Sequence, residues 1–366
     1  MEFKSYKMED IATFSQGKQV EIENQYTEKK ENMKRFLRII DFTNPNEPIR
    51  YVEDFGDRYY AKKDDLVMIR YGSQTCGKVV IGKEGIIANN MFKINLENSI
   101  VLNRYAYYYL KQDRVYNYLR GSQNSSTMPS INFGILNKLE IEVPSIDNQR
   151  KIVKILNDID KKIELNNEIN NNLYEEAVAL YKDKFKGIEQ GEKTIGEYML
   201  PKRGKNLLTR DAVEGEIPVV AGGLEPSAYH NQSNTKSPVI TISASGANAG
   251  YTNLWNIPVW ASDCSYIDES ITKNVYFWYI VLKTRQNEIF DAQTGSAQPH
   301  IYPQHIAEMP IDVLNADEVE KYNTLVEPLF KMMGNNKTEN IKLSQLRDAL
   351  LPKLMNGEID LDNIEI

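Results

Sequence analysis

"KIVKILNDIDKKIELNNEINNNLYEEAVALYKDK", residues 151–184, decides the architecture. Its seam residues recur at spacings of four and three: Ile152, Leu156, Ile159, Ile163, Asn166, Asn170, Leu173, Ala177, Leu180 and Lys184. A seam of this period belongs to a long helix that pairs with another helix. Adding 170 to each number gives a second seam: Tyr322, Val326, Leu329, Met333, Asn336, Asn340, Leu343, Arg347, Leu350 and Leu354. Both copies carry asparagine at the same two places. A polar seam residue costs stability but fixes register, so the two helices are expected to pair their asparagines. Ser145 and Asn315 are the expected N-caps. Pro328 and Gly334 are expected to bend or interrupt the second helix. A helix of this length spans roughly 60 Å and would hold two domains at a set distance.

The repeat continues upstream. "LEIEVPS" (Leu139–Ser145) falls on "MPIDVLN" (Met309–Asn315), and "MPSIN" (Met128–Asn132) on "QPHIY" (Gln298–Tyr302), at the same shift. Earlier the offset drifts. "IIANNMFKI" (Ile86–Ile94) resembles "PVWASDCSYI" (Pro258–Ile267), and Gly17-Lys18 resembles Gly204-Lys205. Offsets that drift early and hold late mean variable domains joined to connectors of fixed length.

Inside the first domain, "DDLVMIRYGSQTCGKVVIG" (residues 64–82) fits seven places of the phosphate-cradling pattern G-x-x-x-x-G-K-[ST], through Gly72, Gly77 and Lys78. The Mg²⁺-binding hydroxyl is replaced by Val79. The next residues, "VVIGKEGIIA", are rich in β-branched side chains and read as strand, turn, strand, not as the helix a phosphate site needs. The repeat places "ITISASGANAGYT" (Ile240–Thr252) opposite this loop, with no Gly-Lys. A tight β-loop is the simpler reading. Both loops are small and polar, as are "GSQNSSTMPSINF" (Gly121–Phe133) and "DAQTGSAQPHIYP" (Asp291–Pro303). Such side chains suit hydrogen bonds to base edges or phosphates.

The bulk numbers exclude several classes. With 366 residues, 41% hydrophobic and 26% charged, the chain has room for two or more packed domains. No apolar run approaches a membrane span, and the polar N-terminus does not resemble a signal peptide. Two distant cysteines suggest neither a disulfide framework nor a zinc site, and a cytoplasmic location is expected. The net charge of −7 leaves only residues 1–144 slightly basic, so a nucleic-acid role would need help from partners. His230, His300 and His305 form no metal spacing, and no methyl-transfer, nuclease or hydrolase constellation stands out.

At the helix borders, "VPSIDNQRKIVKILNDIDKKIELNNEI" (Val143–Ile169) and "LRDALLPKLMNGEIDL" (Leu346–Leu361) resemble the two conserved regions of type I restriction–modification specificity subunits. The first has Asn148-Gln149 where the family commonly has Glu-Gln. The resemblance implies an α+β fold. Two mixed α/β target-recognition domains, residues 1–144 and 191–314, would be separated by two long antiparallel coiled-coil helices, residues 145–190 and 315–366, as a pseudo-twofold internal repeat. It also implies a DNA-reading subunit without catalysis of its own. Its partners would be double-stranded DNA carrying a bipartite asymmetric site, two methylation subunits docked on the helices, and restriction subunits through the complex. The chain itself would bind no cofactor or metal; S-adenosylmethionine, ATP and Mg²⁺ belong to the partners.

The expected DNA-binding residues are Arg70, Ser73, Gln74, Lys78, Asn89, Gln123 and Asn124 in the first domain. In the second they are Lys205, Ser245, Asn248, Tyr251, Gln293, Thr294 and Gln298. Two other readings stay open at this stage: a twin-domain protein-binding scaffold, and a nucleotide-dependent enzyme using the Gly72–Lys78 loop.

Overall fold

The computed structural model describes residues 1–44, 47–72, 74–121, 130–295 and 298–361. The chain divides into two compact units, one of Met1–Lys161 with the chain from Leu343 onward, the other of Lys162–Lys342. The division falls inside both long helices, Ile146–Lys184 and Ala316–Met355.

Each helix starts at a side-chain cap. Ser145 Oγ accepts from the Asn148 N–H at 3.4 Å. Asn315 Oδ1 accepts from the N–H groups of Asp317 and Glu318 at 3.0 and 3.2 Å. These bonds satisfy donors that the first helical turn leaves orphaned. The second helix runs unbroken through Pro328 and Gly334, so the expected interruption does not occur. Val326 and Phe330, both fully buried, anchor it on either side of Pro328. Asn256 lies against Gly334, where an added Cβ would come within 2.6 Å of it, and Asn256 Nδ2 donates to the Phe330 carbonyl at 2.9 Å.

Within the second unit the seam asparagines meet. Asn166, 1% exposed, donates to Asn340 Oδ1 at 2.8 Å and to Glu339 Oε2 at 2.7 Å. Asn336 Nδ2 donates to Asn170 Oδ1 at 2.9 Å. Numbers rise along one helix as they fall along the other, so the helices run antiparallel there. The first unit has the same sense: Arg347 Nη1 reaches Asp160 Oδ1 at 2.8 Å, and Asp160 also accepts from the Tyr108 hydroxyl at 2.7 Å.

The two units repeat one strand order. In the first, an antiparallel sheet runs Ala12–Gln16, Met91–Leu96, Leu66–Ile69, Val79–Val80. In the second it runs Lys202–Arg203, Cys264–Asp268, Val239–Ser243, Thr252–Trp255. A further sheet in each unit centres on a parallel pair, Met33–Leu37 with Gly85–Ile87 and Ile217–Val220 with Trp260–Ala261. The strands Val79–Val80 and Gly85–Ile87 do not pair with each other; they belong to different sheets.

Glycine permits the link between the sheets. Gly17 N–H bonds the Met91 carbonyl and Lys18 N–H the Ile87 carbonyl, at 3.0 and 2.8 Å. Gly204 and Lys205 repeat this on Cys264 and Ala261, at 2.8 and 2.9 Å. A Cβ on Gly17 would sit 2.1 Å from the Ala88 carbonyl oxygen, and one on Gly204 2.4 Å from that of Ser262. No side chain fits such an approach.

A buried amide ties each long helix to its unit. Gln149, fully buried, accepts from the Leu102 N–H at 2.9 Å and donates to the carbonyls of Ile100 and Pro144 at 2.8 and 3.0 Å. Leu102 precedes the helix Asn103–Lys111. Asn323 does the same for the helix Val275–Thr284, accepting from the N–H groups of Tyr276 and Phe277 at 3.0 and 3.2 Å. Gln149→Ala would strand a buried N–H and two carbonyls, so a stability loss of about 1–3 kcal/mol is expected. Asn148→Ala should stay within about 0.5 kcal/mol of wild type. Urea midpoints of the two variants check this; equal midpoints would rule out the tie.

Candidate functional site

In the first unit the antiparallel register pairs Gln16 with Phe92, Ile69 with Met91 and Met68 with Val79. The strands Ala12–Gln16 and Leu66–Ile69 therefore end where Val79–Val80 and Met91–Leu96 begin. Arg70, Gln74, Lys78 and Asn89 all come from connections at this one end of the sheet. The Ile131 N–H bonds the Arg70 carbonyl at 3.0 Å, and Tyr71 bridges Ser130, so Ser130 and Ile131 join them. Ser73, Gln123 and Asn124 lie outside the described residues.

The loop from Gly72 to Lys78 closes on its own backbone. Cys76 N–H bonds the Gly72 carbonyl, Lys78 N–H that of Thr75, and Gly77 N–H that of Ile69, at 3.0, 3.0 and 2.9 Å. The chain then enters Val79–Val80, which pairs back on Leu66–Ile69. It opens no helix, so it lacks the aligned N–H groups that hold a nucleotide's phosphates. Gln74 and Lys78 are exposed. The Arg70 guanidinium donates to Gln16 Oε1 and lies 5.1 Å from the Tyr71 ring and 5.5 Å from that of Phe133. Gln16 Nε2 donates to the Asn89 carbonyl at 2.8 Å, and Asn89 Nδ2 donates to Gln19 Oε1. Sequence reasoning passed over Gln16 and Gln19. The usable signal was their place on either side of Gly17-Lys18, the pair that the repeat preserves.

The second unit builds the same end with other side chains. Ala249 N–H bonds the Gly246 carbonyl, Tyr251 N–H that of Asn248, and Gly250 N–H that of Ser243, at 3.0, 2.9 and 2.7 Å. Its loop is one residue shorter between the glycines. Ser245 donates to Asp263, which also pairs with Arg203. Lys205 is exposed while its carbonyl accepts from Trp260 Nε1 at 2.8 Å. Asn248 Nδ2 donates to the Gly222 carbonyl at 3.4 Å and Gln293 Nε2 to that of Ala249 at 2.8 Å, so both amides brace the loops. Thr294 and His300 exchange main-chain bonds of 3.0 and 2.8 Å, and Gln298 is exposed. The Gly222 segment is a further loop at this end that the sequence did not flag; the Ser243 hydroxyl holds its carbonyl at 3.3 Å.

A family model described as "Type I restriction modification DNA specificity domain" matches residues 1–175. That segment belongs to the type I DNA specificity family. The likeness extends beyond it. The type I restriction enzyme MjaIX specificity subunit of Methanocaldococcus jannaschii is 26% identical over 79% of this chain and 76% of its own. A putative type I specificity subunit of Mycoplasma genitalium is 25% identical over 81% of this chain and 82% of its own. A crystal structure of a type I restriction–modification S subunit from M. genitalium has a TM-score of 0.60 at 21% identity, covering 96% of both chains, and so shares the fold. Among the described residues, no helix is long and apolar enough to cross a membrane.

In the second unit, Tyr251 is backed by a lysine whose proton affinity is lowered. Lys283 Nζ lies 4.4 Å from the Tyr251 ring centre and donates to the Thr252 carbonyl at 3.0 Å. Burial, with the positive charge of Lys337 adding to it, lowers Lys283 to about 8. Unfolded, the group keeps its proton to about 10.5. Between these values the unfolded state binds more protons, so this group's contribution to stability rises with pH and levels off above the window. Thermal unfolding of wild type and Lys283→Met at pH 7 and near pH 10.5 should show wild type gaining on the variant as pH rises. A pH-independent gap would mean that Lys283 titrates normally.

Proposed function

We propose that this chain is the DNA sequence-specificity subunit of a type I restriction–modification complex, reading a bipartite, asymmetric site with one half assigned to each domain. The carrying observation is the repeated unit: twice, one end of an antiparallel sheet gathers Arg, Lys, Gln, Asn, Ser and Thr from several loops. These are the groups that address base edges and phosphates. The boundaries proposed for the reading domains are residues 1–144 and 191–314, with connectors 145–190 and 315–366. The connectors form an antiparallel coiled coil whose asparagine seam sets the register and with it the unread spacer. The seam comprises Ile152, Leu156, Ile159, Ile163, Asn166, Asn170 and Leu173 with Met333, Asn336, Asn340, Leu343 and Leu350. A pseudo-twofold relation between the halves belongs to the same proposal.

Two methylation subunits dock on the helices, which leave Leu165, Leu325, Met332, Ile341 and Leu346 about half exposed. Restriction subunits join through them. S-adenosylmethionine, ATP and Mg²⁺ are held by those partners in the cytoplasm, and the partners supply part of the phosphate grip that a chain of net charge −7 lacks.

Genome-wide adenine-methylation sequencing of the host, with the gene present and deleted, tests the reading. A split motif that disappears on deletion is the expected result. No change, with an active methylation partner, would favour twin domains that bind protein. Lys78→Ala should weaken DNA binding by the assembled complex about equally on all sequences and reduce the salt slope by about 1. A loss confined to one sequence position would make Lys78 a base reader instead.

A further inference from the structure

We infer that the first unit reads a guanine through Arg70, with Gln16 positioning its guanidinium, and that the second unit has no arginine reader at the equivalent place. The inference rests on the DNA-reading role proposed above and names the chemistry of one half of the site.

The main chain of Arg70 is fixed on both sides, its N–H on the Asn90 carbonyl at 2.8 Å and its carbonyl under the Ile131 N–H at 3.0 Å. The side chain is held as firmly. Nη1 donates to Gln16 Oε1, and Gln16 is itself tied to the Asn89 carbonyl at 2.8 Å. The guanidinium packs against Tyr71 and Phe133. Phe133 is stacked on Phe14 at 5.3 Å and meets the edge of Phe92 at 5.0 Å, so that wall is rigid. Among the described residues no carboxylate pairs with Arg70, and its Nε is buried without a hydrogen-bond partner. With Nε buried, the Nη1–Nη2 edge is the part of the fork left to meet a ligand, at the end of the sheet where the candidate loops meet. A ligand with two acceptors in one plane completes it. Guanine N7 and O6 are such a pair, and arginine is their commonest specific partner. A phosphate needs only a point charge, which the exposed Lys78 supplies without this bracing.

The second unit shows why the assignment is not symmetric. Ala244 makes the two main-chain bonds that Arg70 makes, to the Asp263 carbonyl at 3.1 Å and from the Ile301 N–H at 2.9 Å. At the position of Gln16 stands Arg203, beside Gly204 as Gln16 stands beside Gly17. Its charge is already taken by Asp263.

Purified complex carrying the methylation subunits, with wild-type, Arg70→Ala, Arg70→Lys or Gln16→Ala chains, is assayed for methylation of a randomised DNA library. The wild-type motif should hold a guanine in one half. Arg70→Ala should lose about 5- to 150-fold of its preference there, Arg70→Lys should lose less, and both should keep the other half. Gln16→Ala should relax the same position by a smaller factor; a loss spread over all sequences would make Gln16 merely structural. Full preference in Arg70→Ala, or a uniform loss in both Arg70 variants, means a phosphate contact and overturns the assignment. A variant that fails to assemble is bypassed on the DNA side: 7-deazaguanine at the assigned position should weaken wild-type binding, and undiminished binding overturns the assignment as well. A wild-type complex that methylates with no split motif refutes the specificity reading itself, a result separable from every outcome above.

Discussion

Gly17 and Gly204 bring one main chain so close to another that no side chain would fit between them, and much of each unit depends on that approach. The residue pair at each crossing bonds one carbonyl from the four-stranded sheet and one from the neighbouring sheet. The first strand therefore ends where the long strand of the same sheet begins. Loops that are far apart in sequence then emerge at one edge: Arg70 to Lys78 beside Asn89, and Ser245 to Tyr251 beside Asp263. A single close approach of this kind replaces what would otherwise be a set of separate side-chain contacts.

Periodicity made the long helices legible. The 4,3 spacing and its echo 170 residues later hold whatever the tertiary context, and the asparagines meet because their spacing puts them on one face of each helix. The loop ending in Lys78 was legible as a β-loop because a β-branched run comes after it. The hidden features depend on partners far away in sequence. Val79–Val80 and Gly85–Ile87 look like neighbours, yet they join different sheets, since pairing is chosen by strands from residues 33–37 and 66–69. Gln16 carries no local mark of its role, because its importance comes from Arg70, 54 positions on. Asn323 looks like a solvated helix residue until the helix Val275–Thr284 is seated against it. Pro328 and Gly334 were read as breakers because the packing of Asn256, Val326 and Phe330 around them is invisible in the sequence.

The repeat preserves hydrogen bonds more faithfully than side chains. The carbonyl of Gly72 and that of Gly246 accept equivalent bonds, although one loop is a residue shorter. On this shared frame the charges are dealt differently. Among the described residues, the first unit leaves Arg70 without an acid, while the second pairs Arg203 with Asp263 and covers that acid with Ser245. Backbone repetition thus supplies a common socket, and the side chains set in it are free to diverge.

The buried amides carry a consequence for anyone cutting and rejoining such chains. Gln149 and Asn323 perform one job, yet they are 174 residues apart, not the 170 that separates the rest of the helices. Each long helix therefore has its own plug, fitted to the helix it clamps in its own unit. A graft that exchanges globular segments at the start of a long helix would pair a plug with a foreign socket. A junction placed a few residues later, beyond Gln149 or Asn323, would carry plug and socket together and leave only the repeating seam to be matched.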